Sequence, residues 1–260
     1  NSGRKKSSVK GGEIILILRL INMLENRNKR KYGGIIAALK LEEFWDSLLP
    51  EDRDFIRECY SSSLGGGNPK NLDSPKVNIS TTQTASGFLT CYAGWAISKK
   101  RFDLADKLLE EAIKRNKNAT DLHYTYNYLI DLCYKRRDEG PEWLERCINY
   151  CLADIEIFPL FKEEYLQQER EHLIKAADSP LNTKKERLKY LRKAENVEFL
   201  LSVPSFQRLA IIYEKQGKYE EAIDICKLAI SYGLKDSTKS GFEGRIARLT
   251  KKLQSFNRKT

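Results

Sequence analysis

The strongest constraint on this chain is a spacing. Between Pro204 and Gly233, Phe206, Leu209, Ala210 and Tyr213 fall on one face of a helix, and Gly217 interrupts it. Tyr219, Ala222, Cys226 and Ala229 then fall on one face of a second helix. Apolar residues at i, i+3, i+4 and i+7 are the signature of an amphipathic helix, and the small residues among them let two helices approach closely. The same order stands 117 residues earlier: Leu89, Tyr92, Ala93 and Ala96, then Phe102, Ala105, Leu109 and Ala112. One offset holds across all these positions, so the unit is repeated. A short helical hairpin cannot bury its own apolar face, whereas stacked copies can.

On these residues the chain resembles the tetratricopeptide repeat family. The resemblance is close over 87–118 and 204–233 and looser over 120–159, where Asp154 takes a place the family gives to alanine. The closing stretch from Tyr232 to Ile246 also resembles the ending of uncharacterised bacterial repeat proteins. The resemblance implies an all-α, right-handed superhelical stack of three to four hairpins that binds a protein or peptide segment in a groove lined by first helices. By analogy with the family, the groove-facing residues are Thr90, Ile97 and Ser98 in the first repeat and Thr125, Tyr128, Lys135 and Arg136 in the degenerate one. In the last repeat they are Gln207, Ile211, Glu214 and Lys215. Members that grip a carboxyl-terminal tail do so with Lys, Asn and Arg on successive first helices. Here Thr90, Gln207 and Ile211 break that set, which disfavours such a role.

The remaining organisation is read from punctuation and charge. Residues 1–12 are expected to be a disordered basic start, and 13–60 an N-terminal helical region with helices over 13–28, 35–49 and from Pro50 onward. Residues 61–84, rich in Ser, Gly, Asn, Pro and Thr, are expected to be a linker. The repeat domain is expected over 85–260. It includes helices over 142–157, ended by Phe158-Pro159, then 161–177 and 183–200, and a capping helix over 240–256 opened by a Ser240/Glu243 capping box.

The net charge of +10 is concentrated at the ends: residues 1–32 carry nine Lys/Arg against two Glu, and 238–260 carry seven against one. Basic ends of this kind are usually solvated, loosely electrostatic tails. They nevertheless define a second reading, a nucleic-acid-associated protein using these ends and the Tyr124–Tyr128 cluster as a stacking platform. A third reading has the 61–84 linker swing the N-terminal helices over the groove.

Catalysis and metal chemistry find little support. Two histidines, no CxxC pair and adjacent rather than facing acid pairs supply neither a zinc set nor paired carboxylates, so no catalytic residue, cofactor or metal is assigned. Six cysteines, mostly inside helices, are expected to be reduced thiols of a cytoplasmic protein. The apolar run Ile14–Leu24 is too short for the ~20 residues a membrane span needs.

Overall fold

The computed structural model describes residues 30–62, 67–236 and 238–258, all helix and connecting loop with no strand among them. The helix expected over 13–28 and the basic start lie outside the described residues. Two compact units divide the chain, the first ending at Phe88 and the second beginning at Leu89.

In the first unit, α1 (Gly34–Ala38), α2 (Glu42–Ser47), α3 (Pro50–Ser62) and α4 (Lys70–Asp73) surround Ile36, Trp45, Ile56 and Leu72, all buried. The single helix expected over 35–49 is therefore two. Lys40 turns into the left-handed region at φ 57°, and a bond from Leu41 N to the Ile36 carbonyl closes α1. The break lets Ile36, Leu41, Trp45 and Leu48 all reach the interior, which one straight helix of this length could not do. Gly34 (φ 57°) is obligatory, because a Cβ there would stand 2.1 Å from the Asn71 carbonyl oxygen.

The later part of the stretch expected to be linker is folded onto this unit. Asp73 accepts from Trp45 Nε1 at 3.1 Å and from Arg57 Nη2 at 2.5 Å, while Gly33 and Gly34 donate to the carbonyls of Asp73 and Val77.

The second unit is a stack of hairpins. The first comprises α5 (Ala85–Ser98), from Leu89 onward, and α6 (Phe102–Lys114); the second α7 (Ala119–Arg136) and the start of α8 (Pro141–Ala177). The third comprises α10 (Pro204–Lys215) and α11 (Tyr219–Ser231), covered by α12 (Gly241–Asn257). Packing runs α6 on α7, α7 on α8, α8 on α10, α10 on α11 and α11 on α12. The offset seen in the sequence recurs in the turns. Arg101 N bonds the Ala96 carbonyl at 2.8 Å, and Lys218 N bonds that of Tyr213 at 2.9 Å. Gly217 has φ 75°; Lys100, at the matching place, is held at φ 58°.

One departure reshapes the stack. The two helices expected on either side of Phe158-Pro159 are a single helix, α8, of 37 residues, about 55 Å at 1.5 Å per residue. Pro159 removes one backbone bond inside it, but the ring faces outward while Phe158 and Phe161 are fully buried on either side. That burial offsets a proline cost of about 3 kcal/mol. α9 (Lys184–Glu195) then returns along the C-terminal part of α8 as an inserted hairpin, shorter than the 183–200 expected. Thr183 and Glu186 form a full capping box at its start. The box expected at Ser240 and Glu243 is absent. Ser240 already lies in the helical region (φ −89°, ψ −2°), whereas a capping side chain is aimed from extended backbone.

Two glutamates tie these elements together. Glu164 of α8 accepts from the N–H groups of Ala119 and Thr120 at 3.1 and 2.8 Å, capping α7 from 45 residues away along the chain. Glu214 of α10 receives Arg248 at 3.0 Å and Lys252 at 2.9 Å from α12. Partial burial opposes the charge on both carboxyls. The donors outweigh it and hold both below the ordinary glutamate value.

Unfolded glutamate titrates near ~4.3, so this stabilisation is complete above that pH and is lost as pH falls through the lower folded values. The melting temperature is accordingly expected to hold from pH 7 to about 5 and to fall steeply below 4. Glu164→Gln should flatten that fall in an acid melting series; an unchanged slope would remove Glu164 from the account.

Candidate functional site

The first helices α5, α7 and α10 carry the residues expected to face a partner, and the structure places them in different settings. Thr90 and Ile97 are buried, at 4% and 5% exposure. Thr90 Oγ1 and Thr125 Oγ1 share a hydrogen bond of 2.8 Å that fastens α5 to α7. Tyr128 is 37% exposed and its ring rests against Gly94, where a Cβ would come within 2.7 Å of it.

Lys135 is paired with Asp131 at 2.5 Å. Arg136 bridges Asp103 at 2.9 Å and Glu139 at 2.7 Å, and lies 3.9 Å over the Trp143 ring. Gln207 and Ile211 are half-buried on α10, and Lys215 is exposed at its end.

Lys215 leads to the arrangement that sequence reasoning missed. Its ammonium donates to Tyr134 Oη at 3.1 Å, linking the last turn of α10 to α7. The Tyr134 ring is also covered by the guanidinium of Arg208, 3.8 Å from the centroid, and by that of Arg137 at 4.4 Å. Cations are drawn to a tyrosine ring by its quadrupole, so one ring can gather charges that would otherwise repel. Arg137 has Asp138 beside it, but that carboxylate is 83% exposed. Among the described residues neither Arg208 nor Lys215 forms an ion pair. Burial alone would raise the Tyr134 phenol; the Lys215 bond, with Arg208 and Arg137 nearby, brings it below the ordinary tyrosine value. The result is a half-buried aromatic plate across two adjacent first helices, with two cations on its rim, Arg208 and Lys215, that have no carboxylate partner among the described residues. Arg208 and Lys215 stand seven apart on α10, and Arg137, the C-cap of α7, stands three beyond Tyr134, so each pair shares a helical face. Nothing local indicates that the two faces meet.

The Tyr124–Tyr128 cluster is dispersed. Tyr124 meets Phe161 edge-on at 6.1 Å, Tyr126 lies 6.0 Å from Tyr150, and Tyr128 lies on Gly94. These three rings do not form one stacking surface. Behind them His123 Nδ1 is 2.6 Å from Asp154 Oδ1, both fully buried, while the imidazole stacks on Phe161 at 3.8 Å. Asn127 closes the chain at 2.9 Å from His123 Nε2. Asp154 thus replaces an alanine-sized contact with a buried polar bond joining α7 to α8. No group of three or more His, Cys, Asp and Glu able to hold a metal occurs among the described residues. Nor is any described helix long and apolar enough to cross a membrane.

Hairpins stacked in this manner define a helical-repeat protein. Residues 203–232, the α10–α11 hairpin, match the tetratricopeptide repeat family model. An uncharacterized protein of Aquifex aeolicus (strain VF5) is 25% identical over 219 residues, 81% of this chain and 92% of that protein. No solved structure matches the chain significantly.

Proposed function

We propose that the protein is a non-catalytic interaction scaffold of the bacterial cytoplasm, holding an acidic segment of a partner protein across α7 and α10. The observation that carries this is the pair of cations, Arg208 and Lys215, gathered on Tyr134 with no carboxylate of their own. A carboxylate entering the rim finds a bidentate guanidinium, an ammonium and an aromatic plate already positioned, so little ordering is required on binding. Tetratricopeptide repeats suit the role, since first helices of adjacent hairpins present a shared surface. Six free thiols, five of them buried, suit a reducing compartment.

The test is retention from a lysate at moderate salt by the wild-type chain and by an Arg208→Glu/Lys215→Glu variant, with protein and nucleic acid both quantified. A discrete protein held by the wild type and lost by the variant, at unchanged melting temperature, is expected. Each charge-assisted contact is worth about 1.5–3 kcal/mol, or roughly ten- to a hundredfold in affinity. Retention of the same protein by both chains would overturn the assignment. So would selective retention of a defined nucleic acid, which would favour the alternative partner class.

A further inference from the structure

A second surface lies outside the repeats, on the inserted hairpin. Between the C-terminal part of α8 and α9 runs an open groove with a volume of about 1090 Å³. Tyr165 and Leu173 of α8, Leu188 of α9 and Leu200 of the following loop supply its apolar lining. Leu188 is 47% and Leu200 78% exposed, unusually high for leucines converging on one concavity.

Lys184, Lys185, Lys189, Arg192 and Lys193 form the rim. They fall on three successive turns of α9, Lys184 and Lys185 on the first, Lys189 on the second and Arg192 and Lys193 on the third, a wall of about 16 Å at 5.4 Å per turn. None of the five forms an ion pair among the described residues, although the α9 neighbour Arg187 does, with Asp178. The lining carries two acids, Glu169 and Glu198, so the groove has a net positive rim.

We propose that this groove is a docking site for an acidic amphipathic segment of a partner protein, independent of the Tyr134 face. Charge and shape choose the occupant. A second copy of this chain would bring a net charge of +10 against a cationic rim. A lipid bilayer is flat and cannot follow a concavity between two helices, whereas a chain segment of about eleven residues in helical form spans 16 Å. The groove edge also presents main chain. Val197, Glu198 and Leu200 line that edge, and their backbone groups make no hydrogen bond with a described residue, leaving donors and acceptors that a peptide can pair and an acyl chain cannot. Apolar side chains of the segment would occupy the leucine floor, with their acidic neighbours meeting the α9 lysines and Arg192.

The probe is a fluorescein-labelled 14-residue peptide of Glu and Leu, with leucines at helical i, i+3, i+4 and i+7 spacing. Its comparators are a scrambled peptide of the same composition and phosphatidylglycerol vesicles. Anisotropy titration is expected to show the patterned peptide binding at least tenfold more tightly than the scrambled one. Lys189→Glu/Arg192→Glu and Leu200→Ser, both at exposed positions, should each weaken binding at least tenfold without moving the melting temperature. Arg208→Glu on the Tyr134 face should leave the preference for the patterned over the scrambled peptide unchanged, so failure here and failure of the Tyr134 assignment are distinguishable. Equal binding of the scrambled peptide would reduce the groove to bulk charge and overturn the proposal. Groove variants that bind as the wild type does, or capture of the protein by vesicles with no peptide binding, would overturn it as well.

Discussion

Phe158→Ala is expected to lower the unfolding free energy by about 3–5 kcal/mol, the upper range for a buried aromatic truncated to alanine. Phe158 has no exposed surface. It meets Tyr232 at 5.0 Å, Phe199 at 5.4 Å and Phe206 at 5.6 Å, all near edge-on, the geometry in which aromatic rings attract. These rings come from the middle of α8, the loop after α9, the end of α11 and the start of α10, so one cavity would loosen four segments together. Neighbours drawn from separate segments cannot collapse inward without moving their helices, which keeps the cost at the high end. Chemical denaturation should show a lowered midpoint, and Phe158→Leu should recover most of the loss by retaining volume. A cost below about 1 kcal/mol for the alanine variant would mean that the inserted hairpin is not anchored here.

Arg245→Ala is expected to cost a comparable amount, about 3–5 kcal/mol, for a different reason. The Arg245 side chain is 4% exposed and bonds Asp236, whose side chain is wholly buried, at 2.7 and 2.8 Å. Among the described residues, removing the guanidinium leaves that carboxylate buried with the Thr238 N–H, at 2.9 Å, as its remaining hydrogen-bond donor. The lone buried charge, rather than the lost attraction, dominates the cost. Replacing both partners by apolar residues of similar volume, Asp236→Leu with Arg245→Met, should therefore restore most of the stability. A double variant as unstable as the single one would assign the effect to packing of α12 instead.

The regions that read correctly from sequence are those where local and tertiary preferences agree. The hairpins over 87–118 and 204–233 keep a helical period, small residues at close approaches and a left-handed turn position, and both turns carry the same bond between matching residues. Cys147 and Cys151, both inside the helix expected over 142–157, are fully buried in the common core. Where local signals opposed packing, packing prevailed. Pro159 signals a helix end, but Phe158 and Phe161 can both be buried only if α8 continues through it. Ser240 and Glu243 have the spacing of a capping box, yet the entry of the chain into α12 leaves the serine in the wrong backbone region.

The candidate site divides along the same line. Lys215 is recognisable from its place on a first helix, but Tyr134, Arg137 and Arg208 acquire meaning only when α7 and α10 lie side by side. Thr90 and Ile97 occupy first-helix positions as well, and are sealed in the interior by α7 and the rest of the core.

The sequence by itself determined a repeated helical hairpin, because period and small-residue spacing act within about thirty residues and need no distant partner. The tertiary structure alone decided that α8 would run on for 37 residues, that α9 would fold back on it, and which cations would stand without carboxylates. Those outcomes depend on burial and charge pairing between residues far apart in the chain. Pairwise energies of that kind are settled only when the helices meet.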